Sequence, residues 1–210
     1  MARIATRSPS GVFPRTVRNS MTAQMMAGLL LAYVIYPLWI AAGAADLYCH
    51  RRTRLAVTSG VIESALHLLQ LSLIGAATLL VIFLEVTKVT LLILAILVAL
   101  HSYVSFRDVA YTDQRRRITP FEQHVHAYLE VLPWTALLAV AVAEWPTITA
   151  SALELRLRSP GWPAQRVIAI ITPALLFACM PALLEFRHAW RQRAPSTPPV
   201  SSSTTLPSRS

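Results

Sequence analysis

The sequence predicts an all-α integral membrane protein, a bundle of about five transmembrane helices, and three observations support this prediction. The 210-residue chain is 55% hydrophobic and its mean hydropathy is positive. Charged residues make up only 14% of it, whereas a soluble domain carries about 25%. The apolar runs are long and lack the short alternation of a barrel strand, so helices are the expected spanning elements.

The net charge of +9 comes almost wholly from arginine, since Lys88 is the only lysine. These arginines flank the apolar runs. We therefore expect them to contact anionic lipid head groups and to set topology, rather than to bind nucleic acid. Cys49 and Cys179 lie far apart in sequence and give no sign of a disulfide framework. Membrane lipids are the expected partners.

The first apolar run extends from Met25 to Leu47, enough to cross about 30 Å of hydrocarbon. Residues 1–20 before it hold four arginines and no acidic residue, which is typical of a flexible tail or a targeting segment. Pro37 predicts a bend within the run. Ala42-Gly43-Ala44 resembles a cleavage site, but the run exceeds the roughly 7–15 residues of a signal core, which favours an uncleaved span over removal of residues 1–44.

Four further apolar runs follow. The second (Val61–Leu84) and third (Val89 to about Val109) are separated by only a few residues, which predicts a tight antiparallel hairpin. The fourth begins at Thr119-Pro120-Phe121-Glu122, where Thr suits the N-cap, Pro the first helical position and Glu the third. It ends near Ala143, and the fifth run is Val167–Leu184.

The segment between the fourth and fifth runs contains Trp145 and Trp162, which we expect to be interface anchors, and an amphipathic piece over 150–158 expected along the membrane surface. Residues 21–193 form the predicted transmembrane domain, and the Ser/Thr/Pro-rich residues 194–210 a disordered tail. An outside N-terminus would place eleven basic residues in cytoplasmic segments against eight outside, which favours an outside N-terminus and a cytoplasmic C-terminus.

Carboxylates and histidines recur together at one end of each of the first four runs. Most pairs are four residues apart, and one pair is seven apart, so each pair shares a helix face. The pairs alternate between the end of one run and the start of the next, which places them all in one leaflet of an antiparallel bundle. They are Asp46/His50, Glu63/His67, His101/Asp108 and Glu122/His126, with Glu130 one turn beyond the last.

Ionised side chains within hydrocarbon need compensation, since an Asp at the centre of a span costs roughly 2.5 to 3.5 kcal/mol on insertion scales. One or two divalent cations would compensate four such pairs at once. Carboxylate and imidazole ligands without thiolates suit iron, manganese or zinc. We therefore expect a metal site, with iron favoured and two ions allowed, whose ligands come from Asp46, His50, Glu63, His67, His101, Asp108, Glu122, His126 and Glu130.

In its chemistry, the arrangement resembles ferritin-like di-iron bundles and the histidine-box membrane desaturases and hydroxylases. The HxxHH box of the latter is absent, and the spacing is Glu-x-x-x-His rather than the Glu-x-x-His of the former. The residues therefore assign no family. They predict an oxidoreductase with hydroxylase- or desaturase-like chemistry on a lipid or another membrane-soluble substrate, with an unidentified redox partner.

Two other cofactors stay open at this point. If zinc occupied the site, a metal-bound water would be the nucleophile and Glu63 or Glu122 its catalytic base, which would make the protein a hydrolase. A haem b carrier would use His67 with His101 or His126, but it would leave the carboxylates without a role.

A transport or accessory subunit without catalysis is a further alternative. It would need ionisable groups reaching both membrane faces, and the second face offers only Glu85, Lys88 and Glu144.

Several of these residues also have ordinary structural interpretations. Asp46 and His50 fit a solvated helix end, Glu122 fits a capping box, and Asp108 fits a pair with a nearby arginine. The run Arg115–Arg117 is interpreted as a topology signal, with binding of phosphate or lipid head groups as the functional alternative.

Overall fold

The structure, a computed structural model, describes residues 15–192, with side chains from residue 21 onward. Five helical segments in this range are long and apolar enough to cross a membrane, which confirms the predicted all-α bundle. The disordered tail predicted over 194–210 lies outside the described residues. So do residues 1–14 of the predicted N-terminal tail, whereas Arg15 already belongs to a helix. The five spans, first to fifth, are Met21–Thr53, Gly60–Phe83, Lys88–Asp113, Pro120–Ala143 and Ala164–Gln192.

The first span continues through three helical pieces: α1 (Arg15–Leu30), a π-helical turn (Leu31–Ile35) and α2 (Tyr36–Thr53). Pro37 lies just after the π turn. Proline has no N–H to donate to the preceding turn, and a locally widened helix is one way to accommodate the loss. The sequence predicts a bend at Pro37, and the structure has a π turn next to it.

The second and third spans form the predicted hairpin. They are α3 (Gly60–Phe83) and α4 (Lys88–Asp113), which pack along each other. Thr87 is the N-cap of α4, and its hydroxyl accepts from the Thr90 backbone N–H. The same hydroxyl donates to the Glu154 backbone carbonyl at 2.6 Å, so this cap also ties the hairpin to a distant part of the chain.

The fourth span is α5 (Pro120–Ala143), and its start follows the predicted pattern. Thr119 is the N-cap, and the Thr119 and Glu122 side chains form a reciprocal capping box. After α5 comes the short helix α6 (Trp145–Ala150). The chain then runs extended and docks on the α3–α4 turn, where Leu157 bridges to Leu84. The amphipathic piece expected over 150–158 is thus an extended cap on the hairpin.

The fifth span consists of α7 (Ala164–Ala174), a π turn (Leu175–Cys179) and α8 (Met180–Gln192). Pro181 follows this π turn at the same distance at which Pro37 follows the first. α8 packs against α3, and the π turn packs against α2. Since α5 contacts α1, α2 and α4, the spans close into a ring in the order first, fourth, third, second, fifth.

The larger apolar cluster of the core lies at one end of this ring. It joins Val86 and Leu94, just before and near the start of α4, with Val140 near the end of α5 and Ile148 of α6. A smaller cluster lies nearer the middle of the first and fourth spans and consists of Ile35, Leu132 and Ala139. The buried residues at the opposite end of the ring are mostly polar. Many large apolar side chains, such as Phe106 and Leu138, are exposed on the outside of the bundle, as expected of surfaces that contact lipid.

Replacement of Thr87 by valine should lower the free energy of unfolding by about 1 to 2 kcal/mol, because a helix cap and the hydrogen bond to the Glu154 carbonyl are lost together. Thermal unfolding in detergent measures the effect. Thr78→Val is the matched control, since its hydroxyl bonds only to Ile74 O within α3. Equal loss of stability in both variants would show that the bond from Thr87 to Glu154 does not stabilise the hairpin.

Candidate metal centre

Side chains from all five spans meet at the polar end of the ring. Three groups of acidic and histidine residues each bring one ligand atom per residue within 4.8 Å of the others. His50 and His67 each belong to two groups, so the three groups form one carboxylate–histidine cluster. The groups are Asp46, His50, Glu122 and His126; His50, His67 and Glu185; and Glu63, His67 and Asp108. The convergence expected of the first four spans is confirmed.

His50 lies at the centre of the carboxylate–histidine cluster and is only 2% exposed. Its Nε2 lies 3.4 Å from Asp46 Oδ2 and 3.7 Å from Glu63 Oε1. Its Nδ1 lies 3.2 Å from Glu185 Oε2. The ring stacks on that of His67, with centroids 4.5 Å apart and planes within 6°. His50 is therefore within reach of three carboxylates at once.

Asp46 and Asp108 each lie close to another histidine. The Oδ1 atom of Asp46 lies 3.0 Å from His126 Nε2, while its Oδ2 faces His50. Asp108 Oδ2 lies 2.7 Å from His67 Nε2, and Gln70 Nε2 donates to the same oxygen at 3.2 Å. Asp108 thus pairs with a histidine instead of with the arginine considered above. The buried Asp46 pairs with two histidines, His50 and His126.

Several buried ligand atoms in the carboxylate–histidine cluster have no hydrogen-bond partner. Among the described side chains they include Nε2 of His50 and of His67, Nδ1 of His126 and Oδ1 of Asp108. His67 Nε2 approaches Asp108 closely, but the alignment is not that of a hydrogen bond. Ligand atoms about 2.1 Å from one metal ion lie roughly 3 Å apart without bonding to each other. The arrangement therefore suits atoms that face a shared ion.

Arg116 is the cation of the carboxylate–histidine cluster. Its Nη2 lies 2.6 Å from Glu63 Oε1 and 2.5 Å from Glu122 Oε1. Burial works against the charge, but the hydrogen bonds that the guanidinium donates to Glu122 and Glu63 raise its pKa above the usual range. Arg116 is buried while Arg115 and Arg117 are exposed, so the middle residue of this run has a structural role that its interpretation as a topology signal did not include.

Glu63 and Glu122 each have several hydrogen-bond and ion-pair partners. Besides Arg116, Glu63 accepts from the Ser59 hydroxyl, and Glu122 accepts from the Thr119 backbone N–H in the capping box. Neither carboxylate lines the cavity beside the carboxylate–histidine cluster. Both carboxylates are thus engaged by Arg116 and lie away from the cavity, which argues against the role of catalytic base considered for both residues.

The carboxylate–histidine cluster carries an excess of negative charge. Five carboxylates face one guanidinium, Arg116, which leaves a net charge of −4 if the imidazoles are neutral. Protonation of both His50 and His67 would bring two positive charges face to face, at a cost of about 4 kcal/mol for charges about 4 Å apart at an effective dielectric constant of 20. One divalent cation would halve this charge and two would balance it, without that repulsion.

A cavity of about 90 Å³ opens beside the carboxylate–histidine cluster. His101 lies on its wall with an unpartnered Nδ1 but belongs to none of the three close groups. Glu130, expected as a ligand, is exposed and also outside them. The two remaining histidines, His124 and His188, are exposed and bond within their own helices.

Sequence reasoning missed two members of the site. Glu185 lies near the end of the fifth span, and the alternation that brings the other four spans together places that end in the same leaflet. That signal was present in the sequence. Arg116 has no comparable signal, because nothing in the sequence separates it from Arg115 and Arg117. Comparison of the chain with protein-family models, with curated proteins and with solved structures finds no match.

Replacement of Arg116 by glutamine should lower the free energy of unfolding by about 3 to 5 kcal/mol, because two buried carboxylates lose their shared partner. Chemical unfolding in detergent measures the change, and the exposed Arg117→Gln is the control. Adding Glu122→Gln to the Arg116 variant should restore part of the stability. An Arg116 variant as stable as the wild type would show that the ion pairs do not hold the bundle together.

Proposed function

We propose that this membrane protein is a metal-dependent oxidoreductase that acts on a lipid or another membrane-soluble molecule. The observation that carries the proposal is the carboxylate–histidine cluster, which is buried, has an excess of negative charge and contains unpartnered imidazole nitrogens. A buried group of this kind is costly unless its charge is balanced. Metal binding accounts for the charge, the free nitrogens and the convergence of five spans together.

Two ions fit the carboxylate–histidine cluster better than one. One group offers Asp46, His50, Glu122 and His126, and another offers Glu63, His67 and Asp108. The two groups share no residue, so both can be filled at the same time. Two divalent ions would also match the net charge of −4. Dinuclear sites in helical bundles are built in this way, from carboxylates and histidines that project inward from several helices.

Iron is the favoured metal. Carboxylate and imidazole ligands without a thiolate suit it, and Cys49 is buried but belongs to none of the close groups. Iron, when bound, supplies the chemistry of O₂ activation and electron transfer. Asp46 and Asp108 would hold it from the cavity side, while Arg116 and Ser59 fix the orientation of Glu63. The apolar wall of the cavity would exclude bulk water.

The zinc hydrolase is the weaker candidate because no suitable catalytic base has been identified for it. Hydrolysis by a metal-bound water needs a nearby base, and the two residues considered for it, Glu63 and Glu122, are bound to Arg116. Hydroxylation or desaturation does not require Glu63 or Glu122 to act as a catalytic base. We therefore place hydroxylation or desaturation first, with O₂ as the oxidant and a separate redox protein as electron donor.

We further propose that the polar end of the bundle faces the cytoplasm. The excess of arginine in the segments at this end favours that orientation, and a soluble electron donor would have access to it there. The N-terminus would then lie outside.

Protein purified in detergent and loaded with Fe²⁺ without oxygen should retain up to two ions per chain by elemental analysis. Asp46→Asn and His67→Ala should each lower the affinity by at least about tenfold, since replacing even an outer partner of a ligand costs that much. His124→Ala and His188→Ala are the matched controls, because both histidines are exposed. Equal metal content in all variants would exclude this site as the place of binding.

Iron-loaded protein exposed to O₂ with a reductant in native lipid should yield lipid products that carry an added hydroxyl group or a new double bond. Mass spectrometry of the extracted lipids detects them, and His67→Ala should form none. A haem absorption band in the purified protein would favour the electron carrier instead, and release of a hydrolysed lipid by zinc-loaded protein would favour the hydrolase.

A further inference from the structure

We propose that the cavity beside the carboxylate–histidine cluster admits the methyl end of a lipid acyl chain from the middle of the bilayer, and that Gly43 keeps this passage open. The proposal deepens the proposed function by naming the part of the substrate that reaches the site. It rests on that function only where it treats the chain as substrate. The passage itself stands on the shape and lining of the cavity.

The cavity has a polar end and an apolar wall. Asp46, His50, His67 and Asp108 lie at the polar end. The wall is built by apolar side chains and one glycine from the first, second, fourth and fifth spans. Its members include Trp39, Gly43, Leu47, Leu71, Leu129 and Phe177. A wall of this composition suits a hydrocarbon chain, and the polar end suits the chemistry proposed for the ions.

We place the mouth of the cavity at Phe177, on the lipid-facing side of the bundle. Among the residues that line it, Phe177 is the only one in the exposed class, at 57%. Phe177 belongs to the π turn near the middle of the fifth span, and Trp39 lies near the middle of the first. At that depth the bundle is surrounded by lipid acyl chains rather than by water. A molecule that enters the cavity past Phe177 is therefore expected to be a hydrocarbon chain.

The first and fifth spans are joined on both sides of this mouth. The Tyr36 hydroxyl donates to the Ile170 backbone carbonyl, and His50 meets Glu185 at 3.2 Å. Between these two contacts lie Trp39 and Gly43 on one span and Phe177 on the other. The opening is therefore a bounded slot, suited to a single narrow chain rather than to a whole lipid.

The direction of entry follows from depth and charge. Trp39, Gly43 and Leu47 recur every four residues along one stripe of α2, and the seven residues from Trp39 to Asp46 rise about 10 Å at 1.5 Å per residue. Acyl chains end near the middle of the bilayer, which is the depth of the mouth. The negative charge of the carboxylate–histidine cluster disfavours an anionic head group, so the methyl end enters first.

Gly43 offers a way to close the passage without disturbing the fold. A Cβ atom placed on Gly43 would meet no atom within 4 Å, so a larger side chain would extend into the open space of the cavity. Gly75 of α3 has equally open surroundings and does not line the cavity. Gly43→Leu and Gly75→Leu are therefore matched, since both replace a helical glycine by a better helix former.

The experiment uses the full chain in nanodiscs that contain phosphatidylcholine with a photoreactive diazirine on the terminal carbon of one acyl chain. A second lipid carries the diazirine beside the ester group. After illumination, mass spectrometry maps the labelled residues. We expect the terminal probe to label Leu71 and Leu129 of the inner wall, and the ester-side probe to label them roughly tenfold less.

In Gly43→Leu, labelling of Leu71 and Leu129 by the terminal probe should fall roughly tenfold, while Gly75→Leu should keep the wild-type pattern. Absence of inner-wall labelling in the wild type, or equal labelling with both probes, would overturn the passage; neither result depends on a variant that folds. Undiminished labelling in folded Gly43→Leu would overturn the role of Gly43.

Metal analysis of the same samples separates this proposal from the proposed function. Wild-type protein that binds metal but leaves the inner wall unlabelled would retain the metal site and lose the passage. Wild-type protein that labels the inner wall in a Gly43-dependent way but binds no metal would retain the passage as a hydrocarbon site and lose the proposed function.

Discussion

The burial of five carboxylates at one end of an apolar bundle is the constraint on which the rest of the molecule depends. An ion moved out of water costs several kcal/mol unless partners replace its hydration, and among the described side chains Arg116 is the one arginine or lysine that pairs with these carboxylates. This explains why polar residues from every span meet at one place and why the larger apolar cluster lies at the other end. Apolar packing alone would not explain why half of the acidic residues of the chain lie at this end.

The carboxylate–histidine cluster has two halves with different properties. Glu63 and Glu122 pair with Arg116, have additional hydrogen bonds and lie away from the cavity. Asp46 and Asp108 pair with histidines and line the cavity, and buried ligand atoms such as Asp108 Oδ1 and His126 Nδ1 make no hydrogen bond there. The first half resembles a structural support, which fixes the loop before α5 against α3. The second half retains unused ligand capacity at the surface of an opening, so the chemistry is expected there.

The helical fold and the convergence of the four carboxylate–histidine pairs could be predicted from the sequence, because both follow from short-range rules. Hydropathy and length identify the spans, and the alternation of antiparallel helices puts the four pairs in one leaflet. Glu130 shows where such a rule fails: each step of four residues turns about 40°, so Glu130 lies about 80° around the helix from Glu122 and reaches the outside. Arg116 could not be predicted, since its burial depends on how one loop closes over the bundle.

The two π turns explain why the cavity opens where it does. The described parts of the second, third and fourth spans are α-helical throughout, whereas the first and fifth each contain a π turn next to a proline, Pro37 or Pro181. A π turn adds a residue to the turn and changes the direction of the side chains that follow. Trp39 and Gly43 follow the first π turn, and Phe177 lies within the second. The two spans that form the mouth are thus the two that contain a π turn, while the regular α3–α4 hairpin supports the opposite wall. Pro133 leaves the fourth span α-helical, so the π turns, rather than proline alone, would give the hydrocarbon chain its way in.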